Sequence, residues 1–248
     1  MYFVPLLEQK YYKMTIQNIS KYQIVFIFQI IFFCLPLSLT AQDEMNVNFN
    51  KIGDKHVSRA IKERGLVTLP LIHELQPTPN CRNDKSYYDH IKTYSVDQSL
   101  QNTWDIYSKL NIKKAWTGKK IVRYGFVYDT NNCKILYSEQ ENQTIEIGQK
   151  VFFNVHLLGF INLVTVLEVI DIDEEEHSIT FSYMQGGNTM GTQKIILEAT
   201  GKTTLIKHVT NYRSVKPSKL RDKRLYPFFH TKSINEVHKN ALGGKLKD

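Results

Sequence analysis

Histidines and carboxylates in strand-like runs are the first candidates for chemistry in this chain. His156, Glu168, His177 and His208 could converge if neighbouring strands bring them to one face. A histidine within hydrogen-bonding reach of a carboxylate can act as general acid and base. On that reading His156 and Glu168 are the catalytic candidates. No HExxH zinc helix, phosphate-cradling glycine loop or serine elbow occurs. The run from Asp171 to Glu176 opens as Asp-x-Asp, but Glu176 stands where a calcium loop needs glycine, so a solvated hairpin turn is expected. His56, His73 and His90 are too scattered to mark a metal site and read as incidental surface residues. Neither a metal nor a cofactor is expected.

Binding offers a second kind of chemistry. Phe153, Phe160, Phe181, Tyr183 and Phe229 are candidates for lining an apolar cavity. Taken singly, each is an ordinary core residue. Together they suit a small-molecule site, which is mostly apolar with a few fixed polar groups. Tyr212 and Arg213 could add a hydroxyl and a guanidinium for a polar headgroup. Lys207, Arg213, Lys216, Lys219, Arg221, Lys223 and Arg224 form a basic stretch whose one acid is Asp222. Such a stretch suits peripheral contact with an anionic membrane or envelope polymer, or simply a solvated connection. Nucleic acid is disfavoured as a partner by the export-like front end described below.

Elements must position these residues. With 42% hydrophobic and 23% charged residues, and only 12 glycines and 7 prolines in 248, the chain is neither disordered nor collagen-like. A net charge of +8 promotes solubility and attraction to anionic surfaces without specifying a site. Thirteen phenylalanines and 14 tyrosines favour strands over a helical bundle. Residues 42–90 are weakly patterned, with a short helix from His56 to Arg64 ended by Gly65, and read as an irregular peripheral extension. Ile91–Val96 reads as a first strand. Asp97 is the expected cap for a helix with Leu100, Trp104, Tyr107 and Leu110 at helical spacing. A second short helix near Lys113–Trp116 ends at Gly118. Alternating runs from Lys119 to Tyr212, parted by short polar turns, predict an antiparallel meander with one face on a core and the other partly wet. Tyr226, Phe229, Ser233, Val237 and Ala241 then mark one stripe of a long helix stopped by Gly243-Gly244. Strong curvature of the sheet around that helix would leave a cavity.

The front end differs in kind. Ile24–Leu39 is uncharged for sixteen residues, short of the roughly 20 of a membrane span. Lys21 before it and Ala41 after it fit an export signal cleaved before Gln42, with an uncleaved anchor as the alternative. Periplasm or cell envelope is the implied location. Phe33 before Cys34 is too large for a lipidation motif. Cys81 and Cys133 either pair across a long loop or remain two thiols; their spacing does not decide.

The order strand, two helices, meander, long helix resembles the helix-grip domain of the START-like (SRPBCC) superfamily, in particular an uncharacterised branch found in bacteria and plants. The resemblance covers 91–242 and rests on VDQSLQNTWDIYSKLNIKKAWTGKK and on the run from GQKVFFNVHLLGF to NYRSVKP. An aromatic–glycine-turn–glycine pattern of that branch corresponds here to Tyr183, Gly186, Gly187 and Gly191, and Arg213 to a basic residue following the last strand. The turn here is Gln185-Gly-Gly-Asn188 followed by Met190, where the branch often carries histidine and acids. The resemblance implies an α+β fold, a curved antiparallel sheet packed around a C-terminal helix, with a cavity for a hydrophobic or amphipathic small molecule and sometimes cyclase or related chemistry. The expected organisation is a signal or membrane segment over 1–41, the extension over 42–90, the domain over 91–242 and a tail over 243–248. A cyclase-like or hydrolytic enzyme, an interaction module with a filled core, and a lipocalin-like barrel stand as alternatives.

Overall fold

A computed structural model describes residues 45–79, 84–140 and 143–246. The export-like segment and Cys81, and with it the question of a Cys81–Cys133 pair, lie outside the described residues. The structure below belongs to the compact unit Val47–Asp248.

In chain order the elements are a 3-10 turn (Phe49–Lys51), α1 (Lys55–Glu63), α2 (Leu69–His73), β1 (Tyr88–Val96), α3 (Leu100–Ser108), α4 (Ile112–Trp116), β2 (Val122–Asp129), β3 (Lys134–Leu136), β4 (Gln149–Leu157), β5 (Ile161–Asp173), β6 (Ser178–Tyr183), β7 (Thr189–Thr200), β8 (Thr203–Ser214), a π turn (Arg221–Leu225) and α5 (Tyr226–Ala241). The eight strands form one antiparallel sheet in the order β1-β8-β7-β6-β5-β4-β2-β3. β4 to β8 pair consecutively, β2 pairs with both β4 and the short edge strand β3, and β1 pairs with β8 at the opposite edge. Register shifts at Tyr124/Phe126 in β2 and Val169/Asp171 in β5 insert bulges, which bend strands. The curved sheet and long C-terminal helix form the helix-grip architecture expected from the sequence.

Capping explains where the helices start. The Asp54 carboxylate accepts the His56 and Val57 amides at the head of α1, and the Asn111 side chain accepts the Lys114 amide at the head of α4. At α3 the cap is Ser99, whose hydroxyl accepts the Asn102 amide, rather than the expected Asp97. Ser99 is the residue directly before the first helical position, whereas Asp97 lies two residues further out.

Two cores sandwich the sheet. On the concave face, α3, α4 and α5 bury Trp104, Tyr107, Trp116, Ile234 and Val237 against strand residues including Phe153 and Phe181. On the convex face, Val47, Val57, Ile61 and Ile72 pack against Phe126, Phe152 and Val166. The stretch read as a peripheral extension is therefore an integral outer layer from Val47 onward. Its apolar residues are spaced for a short helix and loops, so they gave no strand or long-helix periodicity. The expected half-wet sheet holds for β8, where buried and partly exposed residues alternate, but β2 and β4 are buried on both faces.

The glutamate on α5 fixes helix to sheet. Glu236 accepts hydrogen bonds from the amides of Lys120 (2.9 Å), Ile121 (2.8 Å) and Val122 (2.8 Å), just where β2 begins. Hydrogen bonds from amides to a carboxylate are roughly twice as strong as those between neutral groups. Glu236→Ala is expected to cost about 2–3 kcal/mol, since it leaves three amides without that acceptor. Glu236→Gln should recover part of the loss in a urea melt. A change below about 0.5 kcal/mol would show that the clamp is not needed.

Candidate functional site

A cavity of about 340 Å³ lies between the concave face and α5. Its apolar floor comes from alternate residues of adjacent strands, because successive strand side chains point to opposite faces. Phe153, Val155 and Leu157 of β4 face it beside Leu163 and Leu167 of β5 and Phe181 of β6, with Phe229, Ile234 and Val237 of α5 as the roof. The polar wall is formed by Tyr183, Gln193, His208, Tyr226 and His230, with Arg221 and Asn188 also lining the cavity.

Four members of that wall, His208, Gln193, Tyr183 and Tyr226, belong to one continuous hydrogen-bonded chain that runs back to His238 and Tyr107. Tyr107 Oη lies 2.6 Å from His238 Nδ1, His238 Nε2 lies 3.0 Å from His208 Nδ1, and His208 Nε2 lies 2.8 Å from Gln193 Oε1. Gln193 Nε2 donates to Tyr183 Oη at 2.6 Å, and Tyr183 and Tyr226 share a hydroxyl–hydroxyl bond of 2.5 Å. The bonding pattern fixes the tautomers. With Gln193 Oε1 accepting, His208 must carry its proton on Nε2. A neutral His208 then accepts at Nδ1 from His238 Nε2–H, and His238 Nδ1 accepts from the Tyr107 hydroxyl. From Tyr107 to Gln193 every donor points towards Tyr183, and in the Tyr183–Tyr226 pair either hydroxyl can donate.

Electrostatics agree with neutral imidazoles. Burial pushes His238 and His230 down to about 3 and holds His208 well below the usual histidine range, an effect that neighbouring histidines add to for His208 and His230. Burial raises Tyr183 to about 12 despite its bonds to Tyr226 and Gln193, and raises Tyr226 as well. At neutral pH the wall is therefore an uncharged set of donors and acceptors. His230 Nδ1 is buried without a hydrogen-bond partner among the described residues, although its ring lines the cavity.

The expected site residues separate into two groups. Phe153, Phe181, Tyr183 and Phe229 line the cavity. Phe160 is at the tip of the β4–β5 hairpin and is 74% exposed, because the turn through Leu158 and Gly159, both at positive φ, carries it beyond the sheet. Tyr212 is on the concave face but supports the wall from behind: its ring stacks on Tyr226 at 3.6 Å and its hydroxyl donates to the Asp222 carbonyl. Arg213, the next residue along β8, necessarily points away from the cavity, where it meets Ser86 (3.1 Å), Asp84 (4.0 Å) and the Tyr87 ring.

His156 and Glu168 do not form an acid–base pair. Both share the parity of the convex-face residues Phe152 and Val166, so the sheet separates them from the cavity. Their register partners are Asn162 and Lys150, six residues apart along the strands, or about 20 Å. His156 Nδ1 is bonded to Asn162 at 2.9 Å. His177 packs edge-on against Trp104 in the β5–β6 turn, where Asp173 accepts the amides of Glu175 and Glu176 as a solvated hairpin. His90 is no incidental surface residue: it bonds Thr231 at 2.9 Å and packs against His230. The histidine cluster was missed in the sequence because His208 on β8 is 22 residues from His230, and His230 and His238 are eight residues apart on α5. Only the Tyr226/His230 and His230/His238 spacings, both helical, hinted at a shared face.

The basic stretch is also divided. Lys207 pairs with Glu198 at 2.7 Å and Arg213 with Asp84, while Arg221 is held by Ser214 and the carbonyls of Asn188 and Lys216. Lys216, Lys219, Lys223 and Arg224 are exposed.

Gly191 of the glycine-rich turn has a steric role. Its φ is +116°, and a Cβ there would lie 2.0 Å from the Asn211 carbonyl oxygen, so only glycine lets β7 approach β8 at this rung.

No family model matches the chain, and no curated protein does. Among solved structures it is similar to a major latex-like protein of ginseng, Panax ginseng, with 13% identity over 64% of this chain and 98% of that one and a TM-score of 0.45. Norcoclaurine synthase from Thalictrum flavum, solved with dopamine and hydroxybenzaldehyde, shares 16% identity over 64% of this chain and 88% of that one, TM-score 0.45. A protein from Nitrosospira multiformis shares 11% identity over 64% and 96%, TM-score 0.40. At these identities and scores neither a ligand nor an activity passes from those proteins to this chain.

Proposed function

We propose that this protein holds a hydrophobic or amphipathic small molecule noncovalently between its sheet and α5. The observation that carries the reading is the cavity itself, apolar along most of its lining and bounded on one side by the Gln193–Tyr183–Tyr226 wall. Apolar ligand surface leaving water supplies attraction at about 25 cal/mol/Å². The wall then selects orientation, since a buried hydroxyl or amide without a partner is costly. We also propose that the chain is a divergent START-like protein of the uncharacterised branch. Its strand, two helices, further strands and closing helix support that placement. Export to the periplasm or cell envelope, with residues 1–41 as a cleaved signal or retained anchor, belongs to the same proposal; the N-terminal residue of the protein recovered from its host tests it.

Native mass spectrometry of the purified protein, followed by solvent extraction, should recover a bound apolar molecule. Thr165 lines the cavity from β5, so Thr165→Trp is expected to fill it. Affinity for an environment-sensitive apolar dye should fall about tenfold or more, equivalent to about 1.4 kcal/mol, while Tm is kept or raised by the added packing. Undiminished dye binding by this variant, with no extractable molecule in the parent, would remove the reading.

A further inference from the structure

We propose that the rim of the cavity mouth docks on an anionic lipid bilayer, which lets the amphipathic ligand move between membrane and cavity without crossing water. This rests on the cavity reading above. Leu163 of β5 and Leu225 of the π turn both line the cavity, yet are 41% and 43% exposed, so the mouth opens between them. Further exposed apolar side chains adjoin lining residues on both sides. Leu158 and Phe160 extend from the hairpin tip between lining residues Leu157 and Ile161, and Phe228 packs edge-on against lining residue Phe229. Single exposed apolar residues are ordinary on a soluble protein. Here five belong to the segments that meet at one opening.

Charge selects a bilayer over a protein surface. The segments 154–167 and 215–235 contain one acid, Asp222, and it is buried with its carboxylate taken by Ser214 and the Ser218 amide. Against it stand the exposed cations Lys216, Lys219, Lys223, Arg224 and Lys232. Lys232 Nζ lies 4.3 Å over the Phe228 ring, pairing a cation with an apolar group at the rim. Anionic headgroups would neutralise such cations while the acyl layer takes up the leucines and phenylalanines. An apolar protein partner would cover the rings and leave the cations without countercharge.

The test uses the full chain with Phe160→Trp as a local reporter and vesicles whose acyl chains carry bromine as quencher. Trp104 and Trp116 are buried and supply a constant background. Quenching should be about threefold or more stronger on phosphatidylcholine vesicles with about 30% phosphatidylglycerol than on phosphatidylcholine alone, and should fall at high salt. Adding Lys219→Glu, Lys223→Glu and Arg224→Glu should bring it to the neutral-vesicle level. Equal quenching on both vesicles, no quenching on either, or indifference to charge reversal would overturn the proposal. Dye binding by the same variants in solution separates the two readings: a cavity that still fills while quenching is absent sinks the docking alone, and a cavity that takes no dye sinks the ligand reading.

Discussion

Acidifying a solution of this protein from pH 8 to pH 5 is expected to lower its unfolding free energy by about 2 kcal/mol for each of His230 and His238, or about 4 kcal/mol for the two, with His208 acting in the same direction. The sign follows from proton uptake. Burial holds the folded-state pKa of His230 and His238 at about 3 and that of His208 well below 6.5, whereas in the unfolded chain each returns to about 6.5. Above pH 6.5 neither state binds the proton and stability is unaffected. As pH falls below 6.5 the unfolded state gains protons that the folded state refuses, and stability declines until the folded-state pKa is reached. Nothing packed against the cluster offsets this. His208 meets His238 and His230 from α5 and Gln193 from β7; Lys92 of β1 is its register partner, and His90 and Tyr94 of β1, Tyr107 of α3 and Tyr226 pack against the α5 rings. None is a carboxylate. A loss of this size is a large fraction of the whole stability of many domains, so the protein should unfold more readily in mild acid. Urea melts followed by tryptophan fluorescence at pH 8, 7, 6 and 5 give the slope. His230→Phe removes one titrating ring while keeping the stack on Tyr226, and should reduce the loss between pH 8 and pH 5 by about 2 kcal/mol. A stability independent of pH over this range would refute the neutral, buried assignment of the cluster.

Lys150→Ala is expected to destabilise the fold by about 2–3 kcal/mol, because it removes a cation hydrogen-bonded to two backbone carbonyls. Lys150 is on the convex face of β4 and only 2% exposed. Its Nζ donates to the carbonyls of His73 (2.7 Å) and Ile72 (3.3 Å) at the C-terminal end of α2, where a cation is favoured. Glu168 is its register partner on β5. Burial lowers the Lys150 pKa and raises that of Glu168, while each charge opposes the shift of the other. Glu168 is thus the counter-charge of a structural lysine. Lys150→Met keeps the apolar stem and isolates the contribution of the charge. Both substitutions should expose 47–75 to proteolysis before the sheet itself unfolds, as the outer layer loses its polar anchor. A loss below about 1 kcal/mol with unchanged protease resistance would show that apolar packing alone holds the layer.

Much of this architecture was written locally. The stripe Tyr226–Ala241 marked α5, and the alternation along β8 marked a strand with one face inward, as His208 and Tyr212 are and Arg213 is not. Four of the aromatics chosen for a cavity lining do line it, since large aromatics in alternating runs face the interior of a curved sheet. Phe160 failed because a run that continues past its last paired rung no longer has an inside.

By itself, then, the sequence determined element order, the helix that the sheet must grip, and the abundance of aromatic side chains that must be buried. The tertiary structure alone decided which face of β4 and β5 meets the cavity, that residues from Val47 cover the other face, and that His208 and His238 from two elements join one polar chain with His230 packed beside it. The physical reason is that alternation reveals an inward face only where the opposite face is wet. When both faces are buried, as along β4, every side chain obeys the same hydrophobic demand, and only the packed partners distinguish one side from the other.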